Sequence, residues 1–541
     1  MTAVTPAAPS RFIKAGTTVF TSEPWVWTMM TPLRDMTCAQ CFVLKRDLPE
    51  GGKIRLCSGC RSCVFCSKDC QTTFWTEGQH KHHCAMLGRL MKQWETKLHD
   101  SCNCMADDQY RRQFLAAVQL ALMVWNKRKL GIPETHPGVD GTSAEEVFAA
   151  MEPPELRRGQ YRMWFQSYVQ KLVSVALNVP LTEVAEFFDD ISEIVFKMMY
   201  LCYTLDHEIG LGMYLEVPFM QHRCDVNVGP IWLNKGKTMM MKAVEDIPNY
   251  TGLGDLRYTQ WLYFMRPFTN HFRSTETWKQ FGKSCECTLC TDEYEAELKP
   301  MKCKTENCTA AIPTDNRAFL PCKSCGVPST AENLEAAKKE YEELGKKYEK
   351  AYTLRQTEGF VACFPSTPGG TSPDMDRKRD MLKAMEESKF IHPVNIYRLC
   401  CCFEMADTHF FSEEYIEAWK YLKPMTQELI PAFRLPFNRC LVAFSKYDWV
   451  GQCAIEVAQA LWKKAKYAAA NKVRDEGKAI VEYGINFYIS TYGEEDEGGI
   501  LNELRKVQEE FKYLDTILSV VDEESYKRFM AQNQSTQSSA Q

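Results

Sequence analysis

The chain has 541 residues, 45% of them hydrophobic and 25% charged, with a formal net charge of -5. That is the composition of a globular protein of two to four domains, and it offers no global positive field for a nucleic-acid backbone, so proteins are the expected partners. Twenty-five cysteines would suit a disulfide-rich secreted scaffold, but the opening Met1-Thr-Ala-Val-Thr-Pro-Ala-Ala-Pro has no basic or apolar leader pattern, and no stretch reaches the length of a membrane span. The reading is a reducing compartment, nucleus or cytoplasm, and thiolates that bind metal.

Residues 13–28 alternate β-prone side chains around Gly16 and Pro24 and predict a short strand pair. A cysteine-rich segment follows over 38–84. Helical periodicity then governs 110–129, through Phe114, Val118, Leu120, Leu122 and Trp125, and continues over 155–176 and 182–205. From Gly210 the texture changes to short apolar runs, at 210–215, 231–233, 239–244 and 258–263, separated by Gly, Pro and Asn, which predict a compact β region. After Pro328 the pattern Ser329-x-x-Glu332 signals a helix start, and Leu334, Ala337, Tyr341, Leu344, Tyr348 and Ala351 follow at steps of three and four. Residues 356–378, rich in Gly, Pro, Ser and Thr, read as a loop or hinge. Segments of helix-pair length recur at 397–406, 413–422 and 452–467 without a strict period, and the polar tail 531–541 reads as disordered.

The metal-ligand pattern is dense. Cys38-x2-Cys41, Cys57-x2-Cys60, Cys66-x3-Cys70 and His80-x3-Cys84 offer the thiolate and imidazole donors that zinc prefers, at separations a tight turn can aim at one ion. These amount to two ions' worth of ligands. Cys285-x-Cys287-x2-Cys290 supplies three more thiolates and needs a fourth from elsewhere, for which Cys224 is the candidate. Cys303, Cys308, Cys322 and Cys325 have the spacing of a zinc ribbon, with Gly326 suited to a tight knuckle. Four protein ligands leave no open coordination position, so ions held this way are structural rather than catalytic. Cys400, Cys401 and Cys402 read as small apolar residues inside a helix.

Cys57-Ser-Gly-Cys60, Val-Phe-Cys66-Ser-Lys-Asp-Cys70-Gln and Trp75…His80-Lys…Cys84 resemble the MYND zinc finger. The resemblance implies an interleaved arrangement, with Cys38, Cys41, Cys66 and Cys70 on one ion, Cys57, Cys60, His80 and Cys84 on the other, and Cys63 spare. Glu208-Ile-Gly-Leu-Gly-Met-Tyr214 and Pro218-Phe-Met-Gln-His-Arg-Cys-Asp-Val-Asn227 resemble the core of the SET fold in the SET-and-MYND lysine methyltransferases. In that family a cysteine at the position of Cys224 shares one zinc with a later C-x-C-x2-C. The fold class implied is α+β: a SET-like core (1–37 and 206–291) interrupted by the finger (38–84) and a helical insertion (85–205). A zinc-ribbon-like segment (292–328) and an all-α, tetratricopeptide-like domain (329–530) would follow.

Methyl transfer from S-adenosylmethionine to a neutral lysine needs sulfonium and amine held in line, in a narrow channel whose tyrosine and carbonyl oxygens favour the developing charge. Family spacing counted back from Cys285 puts the catalytic tyrosine at Tyr263, with Tyr258 as the alternative. The cofactor side departs from the pattern. Gln221 and His222 stand where the family has Asn-His, Arg223 replaces the serine, and Lys197 replaces a second cofactor asparagine. Phe281 and Lys283 replace an aromatic pair, and residues 1–12 contain no glycine for the family's Gly-x-Gly loop. An ammonium repels a sulfonium that an aromatic face would attract. The expectation is therefore a zinc protein with cofactor binding weak or lost, acting as an interaction or regulatory module for proteins or lysine-bearing peptides, histones among them. The alternative is an active S-adenosylmethionine-dependent protein-lysine N-methyltransferase resting on Tyr263 and His222. A third reading, a zinc-dependent nucleic-acid binder, is opposed by the acidic balance.

Overall fold

The computed structural model describes residues 11–30, 33–45, 48–49, 51–78, 80–94, 108–133, 136, 138–139, 141–151, 162–205, 210–233, 237–258, 285, 287–358, 372–433, 441–494 and 499–519. They fall into two compact units, one built from residues up to 285 and one from Cys287 onward. Among the described residues, no helix is long and apolar enough to cross a membrane.

In the first unit, β1 (Arg11–Ile13), β2 (Thr18–Ser22) and β3 (Val26–Met29) do form in the stretch predicted as a strand pair, but they do not pair with one another. Their partners lie some two hundred residues later. β6 (Tyr203–Thr204) and β3 flank β7 (Gly210–Met213), and β2 lies against β10 (Thr238–Ala243), whose other edge carries β9 (Val228–Leu233). β1 pairs with β11 (Ile247–Tyr250), and β8 (Gln221–His222) runs parallel to β12 (Arg257–Tyr258). Burial explains the choice: Met239, Met241 and Ala243 on β10 and Val228 and Ile231 on β9 are almost fully inaccessible. Strands with apolar residues to cover stabilise the sheet more than a local hairpin would.

Everything between β3 and β6 is thus an insertion into one β structure. It contains the cysteine-rich segment and then helices: α1 (Lys68–Thr76), α2 (Cys84–Gln93), α3 (Asp108–Lys129), α4 (Ala144–Ala150), α5 (Arg162–Leu177) and α6 (Leu181–Leu201). α6 stops four residues short of the predicted 205 because Tyr203 and Thr204 are taken into the sheet beside β7. α3 is the pivot. Its residues Phe114 to Val124 are all buried, as expected of a helix apolar on every side. They join Trp25 and Val26 at the start of β3, Met86 and Leu90 of α2 and Ile191 and Val195 of α6 in one core. Gln119, buried in that core, accepts from Thr28 Oγ1 at 2.7 Å and so ties helix to strand.

The second unit is helical: α7 (Asp292–Leu298), α8 (Ala331–Glu358), α9 (Pro373–Glu387), α10 (Ile396–Phe411), α11 (Tyr415–Pro424), α12 (Leu441–Lys463), α13 (Tyr467–Tyr492) and α14 (Ile500–Leu518). Two short strands, β13 (Met301–Lys302) and β14 (Ala311–Ile312), pair in its N-terminal part. The cap of α8 is Thr330, whose Oγ1 accepts from Asn333 N at 3.3 Å; Ser329, predicted for that role, instead donates its N–H to Ala318 O. The predicted loop 356–378 is helical at both margins. Ser372 caps α9 by accepting from Met375 N, Pro373 opens the first turn, and Asp374 and Asp376 complement the helix dipole there. The segment predicted as 452–467 breaks after Lys463, where Ala465 takes φ of +56° and the chain turns into α13. Cys400, Cys401 and Cys402 are buried in α10, as the helix pattern implied.

One carboxyl in this unit is held against its charge. Burial pushes the Asp448 carboxyl up to about 6, with Glu503 and Glu510 adding to the shift and the Gln452 amide, at 3.0 and 3.1 Å, only partly offsetting it. An unfolded aspartate titrates near ~3.9, so folding takes up a proton between about pH 4 and pH 6 and stability falls as pH rises through that window. Asp448→Asn should raise the stability of this unit by about 2 kcal/mol at pH 7 and change it little near about pH 3.5, measured by urea unfolding at both values.

Candidate functional site

The cysteine-rich segment is organised by turns rather than by a core. β4 (Arg55–Leu56) and β5 (Val64–Phe65) form a two-residue hairpin ladder, and Cys57 N donates to Cys63 O at 2.8 Å across its end. Between them Arg61, with φ of +57°, donates its N–H to Cys57 O and bends Cys57 and Cys60 toward one point. A Cβ on Gly59 would lie 2.6 Å from Cys84 Sγ, so only glycine lets this knuckle approach its fourth ligand. The other knuckle turns at Phe42, φ +61°, where the N–H of Phe42 donates to Cys38 O. Ser67 caps α1 by accepting from Cys70 N at 3.0 Å, which places Cys70 in the first turn of the helix.

Within the two units, three donor groups result, each with its atoms within 4.8 Å of one another: Cys38, Cys41, Cys66 and Cys70; Cys57, Cys60, His80 and Cys84; and Cys303, Cys308, Cys322 and Cys325. A tetrahedral zinc with Zn–S of ~2.3 Å and Zn–N of ~2.05 Å separates its ligands by about 3.8 Å for S···S and about 3.6 Å for S···N. The first group shows Cys41–Cys66 and Cys66–Cys70 at 3.5 Å. The second shows Cys57–Cys84 at 3.7 Å, with His80 Nε2 3.6 Å from Cys57 Sγ and 3.5 Å from Cys60 Sγ. The donor sets therefore fit Zn²⁺ in both kind and spacing. The hydrogen bond between Cys38 and Cys41 lowers the first thiol's pKa and raises the second's, as expected of neighbouring sulfurs that share a proton until a metal replaces it. Cys63 is not a member of any group. Its thiol hydrogen-bonds Cys60, which with burial raises its own pKa well above that of a free cysteine.

The positions that the resemblance assigns to the methyl donor are engaged elsewhere. Lys197 is buried near the end of α6, and its Nζ donates to the carbonyls of Phe148 and Ala149 at 3.1 Å each, pairs with Glu193 at 3.2 Å and lies 5.1 Å from the Phe148 ring centroid. It therefore serves as a cation at the C-terminus of α4, where Phe148 O also accepts from Met151 N at 3.3 Å. Gln221 is exposed on β8, and its Nε2 donates to Gly254 O at 2.6 Å. His222 shares that two-residue strand, opposite Tyr258 in the parallel ladder. Arg223 closes a bidentate pair on Asp225 at 2.8 and 2.9 Å. Asn227 is buried, accepting from Arg257 N at 2.6 Å and donating to Asp255 O at 3.0 Å, so it pins β12 in register with β8. The side chains of Gln221, Arg223 and Lys197 each bond other groups of the protein. Tyr258 is buried, 5.8 Å from the Tyr203 ring, and burial raises its hydroxyl well above the ordinary tyrosine range. Tyr263, Phe281 and Lys283 lie outside the described residues.

The MYND finger family model matches residues 38–84. Over 299 residues, 55% of this chain and 60% of the relative, the sequence is 24% identical to human histone-lysine N-methyltransferase SMYD3; the mouse protein of that name is 22% identical over 53% of the chain and 59% of its own length. A SET and MYND domain-containing protein of Dictyostelium discoideum is 22% identical over 56% of this chain and 53% of that one. Residues 38–84 are a MYND finger, and over about half its length the chain is similar to SET-and-MYND proteins. It spans between half and three-fifths of the length of these family relatives.

A cleft of about 450 Å³ between the finger and the strands has no signal in the sequence. Trp27 reaches from β3 into the finger, donating Nε1–H to Ala39 O at 2.9 Å and packing against Phe42 and Phe74. Lys237 lies 4.7 Å from the Trp27 ring and 3.3 Å from the Glu23 carboxylate. Segments near residues 25, 77 and 237 meet there, and no local pattern could have joined them.

Proposed function

We propose that the strands around 206–291 form a SET-like core whose methyl-donor seat has been converted to structural use, and that the protein acts as an interaction or regulatory module for proteins or lysine-bearing peptides, histones among them, in the nucleus or cytoplasm. In this reading Cys224 joins Cys285, Cys287 and Cys290 on a third zinc, and the helices over 329–530 make a tetratricopeptide-like domain. The observation that carries the reading is Lys197. A buried ammonium bonded to two carbonyls and a carboxylate holds α4 in place, and a second cation at a sulfonium seat opposes binding. Titration calorimetry with S-adenosylmethionine should give no binding heat at up to ~100 µM, a free energy weaker than about -5.5 kcal/mol. Saturable binding in the low micromolar range would count decisively against the reading.

The second reading, an active protein-lysine N-methyltransferase, is favoured by the names of the human and mouse relatives. Tyr263 would then line the lysine channel, with Gln221 and His222 at the cofactor. Transfer of a labelled methyl group from S-adenosylmethionine to a histone or broad protein panel, lost in Tyr263→Phe, would establish it.

A further inference from the structure

Beyond the three ions of the preceding reading, the second unit brings four thiols together in a segment with almost no core. We propose that Cys303, Cys308, Cys322 and Cys325 bind a fourth zinc ion, a closed tetrathiolate centre that seats the start of α8. Cys303 Sγ and Cys325 Sγ are 3.5 Å apart, and Cys308 Sγ and Cys322 Sγ 3.8 Å, against about 3.8 Å for the edge of a zinc tetrathiolate. The edges join ligands from opposite knuckles, so the ion would cross-link two stretches of chain.

The backbone is shaped for it on both sides. Cys308 N donates to Thr305 O at 3.1 Å around Asn307, whose φ is +63°. Gly326 N donates to Cys322 O at 2.8 Å, and Gly326 has φ of +74° with nothing within 4 Å of a Cβ added there. That glycine is required by the handedness of the turn and not by crowding. Thr305 Oγ1 lies 3.3 Å from Cys325 Sγ, an outer hydrogen bond of the kind that orients a ligand thiolate.

The surrounding chain supplies little apolar core to hold this shape, its main other tie being Arg317 on Asp315 and Glu297. Between α7 and α8 the regular structure amounts to two strands of two residues and one 3-10 turn, Asn316–Phe319. The apolar residues beneath are Met301, Ala318, Leu334 and Ala337, with Ile312 and Phe390 half-buried against them. A core of that size is far below what a domain needs, and a metal cross-link is the usual remedy. Its anchors define its task. Ser329 N donates to Ala318 O one residue before the α8 cap, Lys302 N to Phe390 O at 2.7 Å, and His392 Nε2 lies 3.1 Å from Thr309 O. The metal loop thereby fastens the first turn of α8 to the turn that joins α9 to α10.

Metal analysis of the full chain, purified under reducing conditions without chelator, should find four zinc equivalents, and three in the double variant Cys322→Ser/Cys325→Ser. Hydrogen exchange in that variant should quicken at 301–330 and 388–392 while α12 to α14 stay protected. Zinc content unchanged by the double substitution would overturn the proposal, as would iron at this site, visible from its charge-transfer absorption. Should the variant not fold, native alkylation of the unaltered chain decides. Cys303, Cys308, Cys322 and Cys325 should resist iodoacetamide until a strong chelator is added, and modification beforehand, or a disulfide among them, would refute it. The S-adenosylmethionine titration is independent of this count, so either proposal can fail alone.

Discussion

His80→Ala should remove at least one zinc equivalent and unfold the finger, with loss of much of the near-UV circular dichroism of the first unit. His80 is buried, its Nε2 3.5–3.6 Å from Cys57 and Cys60, and its ring packs on Phe74 and Trp75 at 5.2 and 5.8 Å. Apparent zinc binding in small finger folds is worth about 10–16 kcal/mol at pH 7, more than any other single contribution such a module has. Because the two donor groups interleave along the chain, loosening Cys57 and Cys60 also frees β5, which leads directly into Cys66 of the other group. The damage should reach the sheet through Trp27, whose indole bonds Ala39 O and packs on Phe42 and Phe74. Metal content by mass spectrometry and near-UV spectra test this together; full zinc content with an unchanged tryptophan signal would refute it. Trp75→Ala, at a 41% exposed residue outside the donor set, is the control and should keep the full zinc content and the near-UV signal of the remaining tryptophans.

Lys378→Met should destabilise the second unit by about 3–5 kcal/mol, the usual result of removing one partner from a buried ion pair. Lys378 Nζ pairs with Asp374 and, at 2.6 Å, with Glu404, and both Lys378 and Glu404 are more than 90% buried. Burial alone would lower the lysine pKa, but Glu404 and Asp374 outweigh it and hold it above the ordinary value. Tyr348 Oη donates to the other oxygen of Glu404 at 3.0 Å, so α8, α9 and α10 meet at one charged point. Without the ammonium, two carboxylates remain in a poorly solvated place. Adding Glu404→Leu should recover more than half of the loss, since an apolar pair of similar volume replaces buried ions at little cost. For a unit of this size the single variant should lower its melting transition by about 10 °C. A loss under about 1 kcal/mol would mean that water reaches the cluster.

How far each feature was legible depended on the range of the interaction behind it. Cys38 to Cys84 were readable because knuckle turns are local, set by x2 and x3 spacings that fold the same way in any context. The helices over 108–129 and 331–358 were readable from their apolar steps, whereas the start of α9 was hidden by its own composition. Pro and Ser near 372 read as loop, although Ser-Pro-Asp-x-Asp is equally a helix opening; the capping bond to Met375 N separates the two. Residues 13–28 gave the right element type and the wrong partners, because alternation specifies a buried face without naming the strand that covers it.

Sequence alone determined the chemistry of the metal donors and the kinship of the finger, since both are matters of residue identity and spacing, and its resemblance to SET-and-MYND proteins implied departures at Lys197, Gln221 and Arg223. Only the tertiary structure decided which groups those side chains bond. An isolated lysine is a charge with no assigned partner, and it became the cap of α4 when packing brought Phe148 and Ala149, nearly fifty residues distant in the chain, within 3.1 Å. Hydrogen bonds need that proximity, and proximity between distant residues comes from the burial of a shared core around α3, which no local pattern encodes.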